Sequence, residues 1–117
     1  MAELTMVSAV CQALGRALKD DKDVVLLGED VGVNGGVFRA TEGLQEIYGA
    51  DRVIDTPLAE AGIGGVTVGM AAAGLKPVAE FQFMGFIYSA FDQIISHVAR
   101  LRNRTRGRLS CPLVIRA

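Results

Sequence analysis

The sequence predicts an α/β fold in which a mostly parallel sheet is flanked by helices, in one domain over residues 1–117. Three observations lead there. Segments with apolar residues at helical spacing alternate with short β-branched runs. The first such run, Asp23-Val24-Val25-Leu26-Leu27-Gly28, is apolar without alternation, as a strand covered on both faces should be. The first run leads into a glycine-rich loop and Arg52 to Asp55 into the helix-opening Thr56-Pro57, so helices and short strands keep alternating.

The elements follow in chain order. Met6, Val7, Val10, Cys11, Leu14 and Leu18 share one helical face, Thr5 is placed to cap it, and Lys19 to Asp23 ends it. The strand Asp23–Gly28 leads into a glycine-rich loop, Glu29 to Arg39. Thr41 to Tyr48 is a short helix stopped by Gly49, and Arg52 to Asp55 a short strand. Thr56-Pro57 opens a helix, with proline in its first turn, that runs to Ala73 and stops at Gly74. Pro77 to Phe83 is a strand. After Gly85, the apolar positions Ile87, Ala90, Phe91, Ile94, Ile95 and Val98 predict one long amphipathic helix. Leu113 to Ile115 begins a last strand, with no helix after it to cover the sheet, so the chain reads as an incomplete unit.

With 117 residues and 50% hydrophobic composition, the chain has the apolar surface for one core and is not disordered. Its apolar runs are too short to span a membrane. Met1 to Thr5 lacks the basic patch and apolar core of a secretory signal, so a cytoplasmic protein is expected. Cys11 and Cys111 match no metal or redox spacing and read as small buried apolar residues in a reducing compartment. The net charge of −1 conceals an asymmetry: residues 1–99 hold all 13 acids and half of the 12 basic residues, and residues 100–117 hold the other six and no acid.

Few side chains could carry chemistry. The only histidine, His97, stands beside an apolar helical stripe with no partner suited to catalysis, which favours a packing role. There is no phosphate-binding loop of the G-x-x-x-x-G-K or G-x-G-x-x-G type. Glu29 directly follows a strand, where open α/β sheets bind ligands, although a solvated loop carboxylate is the plainer reading. Glu60 lies in a first helical turn, where an acid also simply complements the helix dipole by about 0.3 to 1 kcal/mol. The same helix carries Gly62, Gly64, Gly65 and Gly69, each costing about 1 kcal/mol relative to alanine. Gly65, Gly69 and Ala73 form a bare stripe for close backbone approach, either by packing within the chain or at a subunit seam beside a cofactor. Arg100, Arg102, Arg104, Arg106 and Arg108 alternate without aromatic neighbours in an acidic chain, which argues against nucleic acid and for a protein partner or an anionic group on one.

Three segments together carry a resemblance: Gly28-Glu29-Asp30-Val31-Gly32, then Gly35-Gly36-Val37-Phe38-Arg39-Ala40-Thr41-Glu42-Gly43-Leu44, then Asp55-Thr56-Pro57-Leu58-Ala59-Glu60-Ala61-Gly62-Ile63-Gly64-Gly65. With Glu80-Phe81-Gln82-Phe83 and Phe91-Asp92-Gln93-Ile94, they make essentially the whole chain similar to the β subunits of thiamin-diphosphate-dependent 2-oxo acid dehydrogenases. Members acting on pyruvate are nearest and those acting on branched-chain 2-oxo acids next. Glu60, four residues, then Gly65-Val66-Thr67-Val68-Gly69 matches the family's pyrimidine-side pattern, with Met70 where glutamine often follows. The Gly-Asp-Gly pattern of the diphosphate side is missing from these residues.

The resemblance implies a pyrimidine-domain fold and a division of labour. This chain would hold the aminopyrimidine of thiamin diphosphate. A partner α subunit, in an α2β2 heterotetramer, would hold Mg²⁺ and the diphosphate. Glu60 would be the catalytic acid that activates the cofactor, and the acyl product would pass to lipoamide on a lipoyl acyltransferase. Leu58 would touch the pyrimidine region, Gln82 would hydrogen-bond near the cofactor, and Phe86 would pack on the aminopyrimidine. Glu29 would be a second acid beside it, on a proton path between paired sites. Leu113 would offer its backbone carbonyl to a potassium ion. The family's substrate-side histidines have no counterpart here, and His97 is not one. Two rivals remain at this level: an acyl-CoA- or nucleotide-binding α/β domain that shares the glycine loops, and an assembly module whose glycine stripe serves only an interface.

Overall fold

A computed structural model describes residues 3–117; Met1 and Ala2, the start of the segment read above for a leader, lie outside them. Four strands, β1 (Val24–Gly28), β2 (Val53–Asp55), β3 (Lys76–Glu80) and β4 (Val114–Arg116), form one sheet in the order β2-β1-β3-β4. Every pairing is parallel. The mostly parallel sheet expected from the sequence is thus all-parallel.

Each face of the sheet has its own core. Helix α1 (Met6–Asp20) and the short α2 (Leu44–Tyr48) cover one, where Leu18, Leu26, Val31, Leu44, Val53 and Val78 pack together. Helix α3 (Glu60–Ala72) covers the other, with Leu27, Ile63, Ala79, Phe81 and Ala90. Leu26 and Leu27 are neighbours in sequence but face opposite layers, which explains the unbroken apolar run of β1. Thr5 caps α1 as expected, its hydroxyl accepting the Ser8 N–H at 3.2 Å. Among the described residues no helix is long and apolar enough to cross a membrane.

The structure corrects several expectations. Helix α3 does not open at Thr56-Pro57 but at Glu60, with Ala59 as its cap residue. The Thr56 N–H still donates across the sheet to the Gly28 carbonyl at 3.0 Å, so this residue stays extended, as a residue before proline prefers. Strand β3 ends at Glu80 rather than Phe83, and α2 starts at Leu44 rather than Thr41. The long helix expected over Ile87–Val98 is broken into a 3₁₀ helix (Met84–Ala90), a π-helix (Gln93–Val98) and a short α4 (Leu101–Arg104). The winding changes where this segment crosses α3: a Cβ on Gly64 would stand 3.2 Å from the Ala90 Cβ and 3.3 Å from the Gln93 Cβ. Cys11 and Cys111 are free and half-buried rather than fully buried. Burial pushes both thiols up, with the Glu42 charge adding to the effect at Cys11, so both stay protonated at neutral pH.

Candidate functional site

The four strands end in a single row. Register pairs Asp55 with Gly28, Gly28 with Glu80, and Glu80 with Arg116. The glycine loop after β1 is tied to this row from both sides. Asp55 accepts the N–H groups of Gly32 at 2.6 Å and Val33 at 3.1 Å. Glu80, 2% exposed, lies on the far side of Gly28, where a Cβ would come within 2.6 Å of the Glu80 carbonyl. The Glu80 carboxylate pairs with Arg116 and packs under Gly36. Within the loop, Thr41 Oγ1 donates to the Val31 carbonyl at 2.7 Å, and the Gly36 N–H to the Asp30 carbonyl at 2.7 Å. Asp30 itself takes a left-handed conformation at φ 59°, one that short acidic side chains tolerate.

This frame brings Glu29 and Glu60 to the same end of the sheet. Both are half-buried. Glu29 begins the tied loop and Glu60 is the first residue of α3. Burial pushes the Glu29 carboxyl above the ordinary glutamate range, and the charges of Asp30 and Glu60 push it further. The two glutamates are therefore electrostatic neighbours. Glu60 makes no side-chain hydrogen bond among the described residues, so its oxygens are free to accept one from a ligand.

Gln82 and Phe86 stand at this end too. Gln82 Nε2 donates to Asp30 Oδ2 at 3.4 Å, which ties the segment after β3 to the loop after β1. Phe86 meets Phe83 edge to face at 5.6 Å between ring centroids, and Phe83 meets Phe38 likewise at 5.7 Å. All three rings are more than two-fifths exposed, an unusual display for aromatic side chains that otherwise gain by burial. Leu58 is 70% exposed on the extended link before α3. Beside that link, Leu27, Ile54, Pro57, Ile63, Val66 and Met70 line an apolar groove of about 270 Å³. Thr56 Oγ1, in the same lining, is shut off from water without a hydrogen-bond partner among the described residues.

Leu113 is not part of this group. It precedes β4 and lines a groove with Ala17, Val24, Lys76 and Pro77, at the opposite end of the strands. His97 stands on the π-helix, half-buried. Among the described residues no three His, Cys, Asp or Glu side chains cluster as a metal ion would require. The sequence reading missed Asp55 as the loop's anchor, Phe38 and Phe83 as ring partners, and the Glu80–Arg116 pair. Glu80 carried one signal, an acid inside a run otherwise apolar from Pro77 to Phe81, but its partner becomes visible only with the register of β4.

The bare stripe also resolves into distinct positions. Gly64 makes the close approach within the chain; a Cβ on Gly65 would only touch Gln93 at 3.7 Å, and one on Gly69 would meet nothing within 4 Å. Packing inside the chain accounts for Gly64 and leaves Gly69 without a reason in this chain.

Comparison with known proteins places the chain in a family. The family model described as "Transketolase, pyrimidine binding domain" matches residues 2–117. The chain is similar to the pyruvate dehydrogenase E1 component subunit beta of Staphylococcus epidermidis, 56% identical over 116 residues, covering 99% of this chain and 36% of that protein. It is equally similar to the protein of that name from Staphylococcus aureus, 56% identical over 117 residues, covering all of this chain and 36% of the relative. The chain thus spans little more than a third of the length of these relatives. A glutamate at the head of a glycine-rich helix, an acid-bearing loop tied to the strand ends and a match across nearly every residue lead to one conclusion: the chain belongs to the transketolase pyrimidine-binding domain family.

Proposed function

We propose that this chain is the pyrimidine-binding part of the β subunit of a 2-oxo acid dehydrogenase acting on pyruvate, and that Glu60 is its catalytic residue. The observation that carries the reading is Glu60 itself: a half-buried carboxylate at the first position of α3, without a protein hydrogen-bond partner among the described residues and beside a second acid. The donor set fits an aminopyrimidine. Glu60 offers an acceptor, Gln82 an amide, and Phe83 and Phe86 exposed rings at the same end of the sheet.

Thiamin diphosphate, when bound, supplies the nucleophilic carbon and the electron sink for decarboxylating a 2-oxo acid. The chain's own residues supply the proton chemistry. Glu60 would hold the pyrimidine ring nitrogen and move a proton at its own carboxyl, general acid–base catalysis of the kind that contributes about 10²- to 10⁴-fold. Glu29 stands beside Glu60 as a second acid, its carboxyl pushed up by burial and by the charges of Asp30 and Glu60. Leu58 and Phe86 exclude water from the ring. On this reading, a partner α subunit in an α2β2 assembly holds Mg²⁺ and the diphosphate, a lipoyl acyltransferase receives the acyl group, and the enzyme works in the cytoplasm. A potassium ion at the Leu113 carbonyl, at the other end of the sheet, would serve structure rather than chemistry.

The test uses Glu60→Gln in the full-length β subunit assembled with α. The side-chain shape stays and the proton shuttle goes, so exchange of the C2 proton of bound thiamin should slow by at least about 100-fold. Exchange at the unaltered rate removes Glu60 from the chemistry. Loss of pyruvate turnover with normal exchange instead leaves Glu60 in place and removes the substrate assignment.

A further inference from the structure

Arg100, Arg102, Arg104, Arg106 and Arg108 are all exposed, on α4 and the turn that follows it. The topology sets them away from the site above. β3 and β4 are parallel, so the chain that leaves β3 at Glu80 must travel back to the amino ends of the strands before it enters β4 at Val114. The arginines occupy the last part of that return, whereas Glu29 and Glu60 lie at the carboxyl ends. This basic surface and the acidic site are on opposite ends of one sheet.

The backbone under the arginines is fixed by its own hydrogen bonds. Thr105 Oγ1 donates to the Leu101 carbonyl at 2.9 Å and accepts the Leu109 N–H at 3.1 Å. The Gly107 N–H closes back on the Arg102 carbonyl at 2.8 Å, and the Arg106 N–H on that of Asn103 at 3.0 Å. Arg106 and Gly107 both take positive φ, 54° and 78°, which turns the chain sharply after α4. Arg104 folds onto the Ser96 carbonyl at 2.9 Å, and Arg108 donates through Nε to the Thr105 carbonyl at 3.2 Å. Among the described residues, none of the five pairs with a carboxylate.

Five cations within nine residues, none paired with a carboxylate among the described residues, repel one another, and they sit in a chain whose first 99 residues carry a net charge of −7. All five are arginine. The guanidinium fork binds oxyanions in pairs and gives up its hydration more readily than an ammonium, so the residue choice favours docking over mere solubility. Residues 100–117 contain no Phe, Tyr or Trp to stack on bases, and Leu109 is the one large exposed apolar residue on this turn, too little to anchor it in a lipid surface. We propose that this surface docks an acidic segment of a partner polypeptide, whose carboxylates the arginine forks engage. The proposal is independent of how the opposite end of the sheet acts.

The experiment uses the full-length β subunit assembled with its α partner, with a short fluorescent polyglutamate peptide and a DNA duplex of matched charge as probes. The peptide should bind with an affinity that falls as salt rises, and more tightly than the duplex. The double variant R102Q/R106Q should weaken peptide binding by at least about tenfold without moving the melting temperature, since both side chains are exposed. R102K/R106K, which keeps the charge and loses the fork, should recover only part of the affinity. Peptide binding unchanged in R102Q/R106Q, or absent from the unaltered assembly, overturns the proposal. Duplex binding tighter than peptide binding and lost in the same variant replaces it with a nucleic-acid surface.

Discussion

Helices α1 and α3 cover opposite faces of the same sheet and are built on different plans. α1 buries Leu18 and rests Cys11, Leu14 and Ala17 against the core, while Gln12, Arg16, Lys19 and Asp20 face water. It is an amphipathic helix whose later turns are covered by this chain, while Met6 and Val7 in its first turn stay exposed. α3 has only two polar side chains, Glu60 at its start and Thr67, which is buried and returns its hydroxyl to the Ile63 carbonyl at 2.6 Å. Ile63, Gly64, Thr67 and Ala71 face inward; Gly62, Val66, Gly69 and Ala73 face outward, with Val66 53% exposed. A helix without a polar face is suited to burial on all sides. The outer side of α1 is written for water and that of α3 for another surface.

The strongest test of this contrast compares two glycines of α3. Gly64→Leu should destabilise the chain's own fold by about 1 to 3 kcal/mol or more, because its Cβ would press on Ala90 and Gln93, and chemical denaturation measures that loss. Gly69→Leu meets nothing in this chain and should even gain about 1 kcal/mol of helix propensity. In sedimentation of the full-length β subunit with α, however, Gly69→Leu should break association. An intact assembly would mean that the outer face of α3 is not a seam.

Thr5→Ala probes α1, the helix with a polar outer face. Losing the hydroxyl that accepts the Ser8 N–H should cost about 1 kcal/mol of stability and leave assembly and thiamin chemistry untouched. An effect on assembly would show that α1, too, faces a partner.

The smallest effect is expected at Glu29, next to the start of α3. Its folded carboxyl titrates above the ordinary value, so the folded state binds this proton more tightly than the unfolded state. The stability Glu29 contributes is therefore present at acid pH and falls as pH rises through the ordinary glutamate range to the raised value. Glu29→Gln should leave stability unchanged near pH 4 and raise it slightly near pH 8, by no more than about 0.5 kcal/mol, because solvent screens a half-exposed group. Thermal melts at the two pH values check the sign; a gain confined to acid pH would reverse the assignment.

The sequence disclosed the sheet better than the crossover between β3 and β4. Apolar runs and capping residues depend on near neighbours, so Thr5, β1 and Gly49 were readable directly. Pro57 misled, because the ladder bond from Thr56 to Gly28 is a contact 28 residues away and overrides the local preference for opening a helix. The unbroken periodicity from Ile87 to Val98 misled in the same way, since the change of winding arises where α3 crosses at Gly64. Glu29, Glu60, Gln82 and Phe86 were picked out by the family motifs, and the fold sets all four at one end of the sheet. Asp55, Phe38 and Phe83 were not, because their roles come from partners distant in sequence.

The Glu80–Arg116 pair has a consequence for the order in which the sheet is completed. Until β4 arrives, the open edge of β3 ends in a carboxylate that is still hydrated. Any strand that adds there without a cation at the matching position would strip that hydration and leave an uncompensated buried charge, a penalty of several kcal/mol. A slip of β4 by one residue would turn Arg116 to the wrong side of the sheet and incur the same penalty. β4 has only three residues, too few for backbone bonds alone to define where it stops. The ion pair acts as a key: it admits one strand, in one register, to an edge that would otherwise accept many.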